Sequence, residues 1–254
     1  ALYDLIVNRS MVVSNSAGFI TCLTDCGKNI DIQDGGRWGA ENRGKTVNSV
    51  VGWIQGYFED DKNPDPAKVH WVTKLQNLLT NSKTEQAAYD FKQGFYTLDI
   101  KPSFDEASFD KIIETCAAIA NIGKGHNGYV LVGVAENAGT ATRVQHLFGV
   151  QPLSYGGFYV TGVEHEARHA GKNLDQMFQE IVDRTGRSDL SEPLRSYVCA
   201  NLKCVQYFDK AIFVFEVLGQ DTPSHFGKTW PERQGAQVKD VAPERMNALF
   251  DRFK

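Results

Sequence analysis

The sequence predicts an α/β (α+β) fold, a mixed sheet with flanking helices. Three observations predict it. Several segments carry apolar residues at helical spacing, the run Tyr129-Val130-Leu131-Val132-Gly133-Val134 suits a strand buried on both faces, and residues 88–134 read strand, helix, turn, strand. With 254 residues, 42% hydrophobic and 23% charged, the chain can bury a core, which argues against disordered, fibrous or coiled-coil classes.

No run approaches the roughly 18 apolar residues of a membrane span, and Asp4 and Arg9 interrupt any signal-peptide core, so a soluble protein with no membrane partner is expected. Five cysteines, an odd number without secretory context, point to free thiols and a cytosolic, cytoplasmic location. A net charge of −4 excludes a globally basic nucleic-acid binder, so any nucleic-acid surface must be local.

Residues 1–45 alternate short apolar runs with turn clusters such as Ser14-Asn15-Ser16, and short strands or irregular structure are expected there. Helical periodicity follows over Thr46 to Phe58 and Pro66 to Leu79. The pattern changes after Lys83, giving an N-terminal segment 1–83 without assignment and a domain over 84–254. That domain opens on a strand, Ala88 to Lys92. A helix then runs from an N-cap at Ser103, with Asp105 and Glu106 in its first turn, to Ala120. The turn Gly123-Lys124-Gly125 precedes the apolar strand. Leu174 to Arg184 is an amphipathic helix, Tyr197 to Phe208 and Ala211 to Leu218 form a hairpin about Asp209-Lys210, and Pro243 opens a last helix to Phe253.

Tyr89-Asp90-Phe91-Lys92, the helix end Ala117-Ala118-Ile119-Ala120-Asn121 and the strand Tyr129 to Ala135 ending at Glu136 occur in the order of the Schlafen AlbA-type domain. The apolar strand Ala211 to Val217, the Phe226-Gly227-Lys228 turn and the terminal helix suit its tail. The chain resembles that family, as in a bacterial Schlafen-like protein, over about 84–254. The resemblance implies a metal-dependent endoribonuclease acting on structured, tRNA-like RNA in antiviral defence, with Glu85, Asp90 and Glu136 as catalytic acids. It also implies a two-lobed RNA cradle, for which a homodimer partner would supply the second copy. Asp90 and Glu136 invert the family's usual acid lengths, and the turn after Asn121 is longer than its pattern.

The residues support that chemistry by themselves. Asp90 and Lys92, two apart, share one face of a strand with Phe91 on the other. Glu136 ends a central strand, where sites form in open sheets. Three converging carboxylates would repel unless a hard cation, Mg²⁺ or Mn²⁺, lay among them, and Lys92 would then face the phosphoryl oxygens. The alternative is a non-catalytic nucleic-acid- or nucleotide-binding module of a defence or regulatory protein.

Three other motifs read as structural. His165-Glu166-Ala167-Arg168-His169 has the H-E-x-x-H spacing of zinc proteases but sits among polar residues, so it reads as a polar connector facing RNA. Cys22, Cys26, Cys199 and Cys204 are poorly spaced for zinc, since positions 199 and 204 on one strand would face opposite sides. Gly123-x-Gly125 follows a helix instead of opening one, unlike a phosphate loop. Lys101, Lys124, Arg143, His146, Arg168, His169 and Lys228 fall in predicted loops and would supply an RNA-binding rim.

Overall fold

The computed structural model describes residues 1–9, 11–25, 40–60, 71–81 and 87–254. These form two compact units, Ala1–Lys74 and Leu75–Lys254, so the boundary lies upstream of the expected one at 83/84 and inside a helix.

The first unit contains a π-helical turn (Asp4–Asn8), β1 (Met11–Val13), α1 (Ser16–Thr24), α2 (Ala40–Ile54) and β2 (Phe58–Asp60). Strands β1 and β2 pair antiparallel, Val13 opposite Phe58. Leu5, Cys22, Val51, Ile54 and Phe58 form its core. Helix α1 corrects the expectation of strands or irregular chain over 1–45. The Ser14-Asn15-Ser16 cluster is a helix start, because the Asn15 side chain accepts from Gly18 N at 2.9 Å. Of the helix expected from Pro66, residues 66–70 lie outside the described residues, and α3 (Trp71–Asn81) is its visible part.

The second half of α3 belongs to the C-terminal unit. Leu75, Leu78 and Leu79 are buried, and Gln76 Nε2 donates to the Tyr207 hydroxyl at 3.2 Å. Helical periodicity reports the helix but not which core its apolar residues join, which is why the expected boundary fell too late.

The unit continues with β3 (Tyr89–Lys92), α4 (Glu106–Ala120), β4 (Gly128–Val132), β5 (Val134–Ala135), α5 (Ala138–Phe148), β6 (Leu153–Tyr155), β7 (Phe158–Val160) and α6 (Glu164–His169). Then follow α7 (Leu174–Gly186), α8 (Leu194–Asn201), β8 (Lys203–Tyr207), β9 (Lys210–Val217), β10 (Pro231–Gln234), β11 (Gln237–Asp240) and α9 (Met246–Asp251). The main sheet runs β3-β4-β9-β8. Its β3–β4 pair is parallel and joined through α4, and the other pairs are antiparallel. This is the mixed α+β sheet with flanking helices. One face carries Val130, Val132, Phe213 and Phe215 against α4, α7 and α8, with Phe95, Ile112, Cys116, Ile181 and Val198 in the same core. Alternation sends Phe91, Leu131, Ile212 and Val214 to the other face, also buried.

The apolar run expected as one strand is broken at Gly133, whose φ is +110°. Its N–H donates to Lys92 O at 2.8 Å, while its carbonyl accepts from Thr161 N and Gly162 N at 2.9 and 3.0 Å. A side chain there would press on Gly162 and Ala211 backbone at 3.2–3.3 Å. The chain thus leaves the main sheet and enters a second one, β5-β7-β6.

Two expected boundaries are corrected, and one helix is added. The α4 N-cap is Asp105, not Ser103, since its carboxylate accepts from Ser108 N at 3.0 Å and Ser108 Oγ at 2.6 Å. Residues 197–201 of the expected Tyr197–Phe208 strand belong to the helix Leu194–Asn201, so Cys199 lies on α8 and Cys204 on β8, not on one strand. Helix α5 was not anticipated, although Asn137 caps it and Gly149, at φ +68°, ends it.

Asn121, directly after α4, fastens the C-terminal segment. It is fully buried; its amide donates to Ser224 O and Pro231 O at 2.7 and 2.8 Å, and its oxygen accepts from Ser224 N at 2.8 Å. Arg252 Nη1 donates to Asn121 O at 3.0 Å and Arg252 Nη2 to Glu232 at 2.7 Å, so the last helix is tied to the same point. Asn121→Ala leaves three buried backbone groups without partners. It should lower unfolding free energy by about 2–3 kcal/mol, measured by urea titration; an unchanged midpoint would contradict the role given to Asn121.

Candidate functional site

Asp90 and Lys92 lie on β3, the edge strand of the main sheet, and point to the α4 face, in register with Val130 and Val132. The Lys92 ammonium bonds the Asp90 carboxylate and also donates to Phe91 O at 3.3 Å. From the other side comes Arg233 on β10. Its Nη1 lies 3.4 Å from Asp90 Oδ1 and its Nη2 donates to Tyr89 O at 3.2 Å. The pair is nearly dry, with side chains 2% (Arg233) and 8% (Asp90) exposed. Two cations therefore hold one carboxylate, and they also cover outward carbonyls of an edge strand that would otherwise invite another strand.

Tyr89, Asp90, Phe91, Glu136, Phe158, Arg233 and Ala236 line a cleft of about 260 Å³ along this edge. Glu136 is exposed, between β5 and the Asn137 cap of α5, and has no ion pair among the described residues. The kink at Gly133 is what carries it out of the main sheet. Phe158 follows the Gly156-Gly157 turn, both glycines at positive φ as a two-residue hairpin requires, and packs on Phe91 at 4.6 Å between ring centroids. Ala236 belongs to the loop that closes the β10–β11 hairpin.

The structure thus brings together Asp90, Lys92 and Glu136. Glu85 lies outside the described residues. Among the described residues no three His, Cys, Asp or Glu side chains gather as metal ligands. Asp90 and Glu136 both line the cleft, Asp90 with its two oxygens on Lys92 and Arg233; a Mg²⁺ or Mn²⁺ ion takes one or two carboxylates and fills its remaining positions with water and substrate phosphate. Sequence reasoning missed Arg233 and Phe158. The alternating Glu232 to Val238 about Gly235 was the available signal for the first, and the Gly156-Gly157 pair for the second.

No family model matches the chain, and no curated protein does. Among solved structures, the DIP2311 protein from Corynebacterium diphtheriae is similar at 15% identity and a TM-score of 0.37, over 62% of this chain and 22% of that one. This chain thus spans about a fifth of that protein's length.

The H-E-x-x-H segment is not the polar connector expected from its sequence. His165, Glu166 and Ala167 of α6 are buried. The Glu166 carboxylate accepts from Phe95 N at 2.9 Å and Tyr96 N at 3.1 Å, holding the chain as it leaves β3. Gly94 is required beside it, since a Cβ there would come within 1.9 Å of Glu166 Oε1. His169 Nε2 pairs with Pro102 O at 2.9 Å. His165 packs on Phe148 at 4.6 Å, neither ring nitrogen has a partner among the described residues, and burial, aided by Arg168 and Lys210, lowers its pKa to about 4. Of the expected RNA rim, Arg143 and His146 sit on α5 and Arg168 and His169 on α6, not in loops; Arg143 Nε donates to Leu98 O at 2.9 Å.

Burial raises Glu166 to about 8, against the downward pull of the amides of Phe95 and Tyr96. The folded-state value lies above the ordinary 4.5, so the native protein holds this proton more tightly than the unfolded chain does. Its contribution is full below pH ~4.5 and is lost as pH rises towards ~8. Relative to Glu166→Gln, the parent should lose up to about 1.4 kcal/mol of stability per pH unit across that window. Denaturant midpoints of both proteins between pH 5 and 8.5 measure it, and parallel curves would refute it.

Proposed function

We propose that the C-terminal unit is a Schlafen AlbA-type domain that binds structured, tRNA-like RNA in the cytosol and cleaves its phosphodiester backbone with Mg²⁺ or Mn²⁺. One observation carries this reading: two carboxylates and a guanidinium line one cleft, with the Lys92 ammonium seated on the first carboxylate.

Charge decides what the cleft needs. Asp90 and Glu136 offset Lys92 and Arg233, so the bare site draws no phosphodiester electrostatically. A divalent cation held by Asp90 and Glu136 would make it positive, polarise the phosphoryl oxygens and lower the pKa of bound water. Arg233 fixes the Asp90 carboxylate from the buried side. Lys92, half exposed on its flexible stem, is placed to turn from Asp90 to a phosphoryl oxygen as negative charge develops. Glu136, held at the α5 N-terminus, faces the open side from which substrate enters.

A cleft that binds without cutting is favoured by one feature: both cations already have partners in Asp90 and the edge carbonyls. Cleavage of labelled tRNA with and without Mn²⁺ separates the readings. Glu136→Gln should abolish Mn²⁺-dependent cleavage, keep RNA binding and stay within about 0.5 kcal/mol of parental stability, because the side chain is exposed. Asp90→Asn should abolish cleavage and also cost about 1–3 kcal/mol, because it weakens a buried charged pair. Lys92→Met should slow cleavage while the metal requirement persists. A Glu136→Gln protein that cuts like the parent would remove the catalytic reading. RNA bound but never cut would leave the binding module.

A further inference from the structure

We propose that the cleft over β3 receives a single unpaired nucleotide, its base against the ring of Phe158 and its phosphodiester towards Arg233. The inference rests on the RNA reading above and narrows it: the bound position must be single-stranded, or bulged out of a structured RNA.

Size is the first argument. At about 260 Å³, the cleft lies just below the roughly 300–1,000 Å³ of typical small-ligand sites. It has room for one nucleotide and not for a helix. Double-stranded RNA is met on broad surfaces spanning about 16 base pairs, through its wide shallow groove. Here Ala236 of the β10–β11 loop lines the cleft together with Glu136 and Phe158, so a protruding hairpin borders what enters.

Depth is the second. Arg233 is 2% exposed and anchored on Asp90 and Tyr89 O. It cannot reach out to a distant backbone, as an exposed arginine reaches a duplex phosphate, so the phosphodiester must come down to it. A nucleotide swung out of its stack is the form of RNA that brings phosphate and base together into a recess.

The third argument is the lining. Tyr89, Phe91 and Phe158 give the cleft aromatic walls, and Phe158 is the more open of the two paired phenylalanines. Bases stack on such rings whatever their identity, which suits a site with few groups to read base edges. Phe158 is placed by a tight Gly-Gly hairpin, so its ring is pre-positioned.

The test uses three RNAs of one sequence, a single strand, a perfect duplex and a duplex with one bulged nucleotide, with Mn²⁺ present. Binding is read by fluorescence anisotropy and cleavage on gels. The parent protein should bind the single strand and the bulged duplex at least about tenfold more tightly than the perfect duplex, and should cut the bulged RNA beside the bulge. Phe158→Ala should weaken the first two about tenfold and leave the duplex unchanged, and Phe158→Trp should restore them. A duplex bound as tightly as the single strand overturns the inference without using any variant, and so does a folded Phe158→Ala protein that binds all three like the parent. In both cases the RNA reading survives. Failure to bind any of the three removes the RNA reading, and this inference with it.

Discussion

The geometry of the C-terminal unit depends on a carboxylate that never meets solvent. Glu166 on a six-residue helix takes the backbone amides of Phe95 and Tyr96, fixing where the chain goes after β3. Two residues earlier, Glu164 takes Ala211 N at the start of β9. One short helix thereby ties the exit of the edge strand to the entry of a central one. Burial pushes both carboxyls up, so the helix holds its loops with groups for which ionisation is costly. Such a constraint persists because the alternative, buried amides without acceptors, is worse.

The cleft follows from this frame and from the edge beside it. A parallel β3–β4 pair leaves β3 at the rim of the sheet, where its outward carbonyls need covering. Lys92 and Arg233 cover them and in doing so gather positive charge around Asp90. Protection of the edge and a local concentration of positive charge therefore come from the same side chains in the same place. The overall charge of −4 is no obstacle to this, because the field that matters is local.

Much of the fold was legible because its signals are local. The strand Tyr89 to Lys92, the helix ending at Ala120 and the hairpin into β9 follow from periodicity and turn residues. Asp90, Lys92 and Glu136 were singled out from type and spacing; Asp90 and Glu136 line the cleft, and Lys92 bonds Asp90 beside it. Arg233 was not, because it reaches Asp90 across 143 residues and no local pattern encodes that pairing. The H-E-x-x-H segment misled in the opposite way. Its charged residues suggest solvent, yet Glu166 is buried because backbone amides, invisible in a sequence, supply its partners. Residues 197–201 were read as the start of a strand, yet they are helical, with Leu194 and Val198 of that helix packed in the core.

The clasp from β10 also sets an order of events during synthesis. A chain emerging from its N-terminus completes β3 long before Arg233 exists, so for most of translation Asp90 lacks its buried guanidinium and the rim of the sheet stands partly uncovered. The cleft is complete only once β10 has been made, on the segment that Asn121 holds at Ser224 O and Pro231 O. A nascent or prematurely ended chain would thus be open to pairing with neighbouring chains, while the finished protein closes the cleft and covers that edge together.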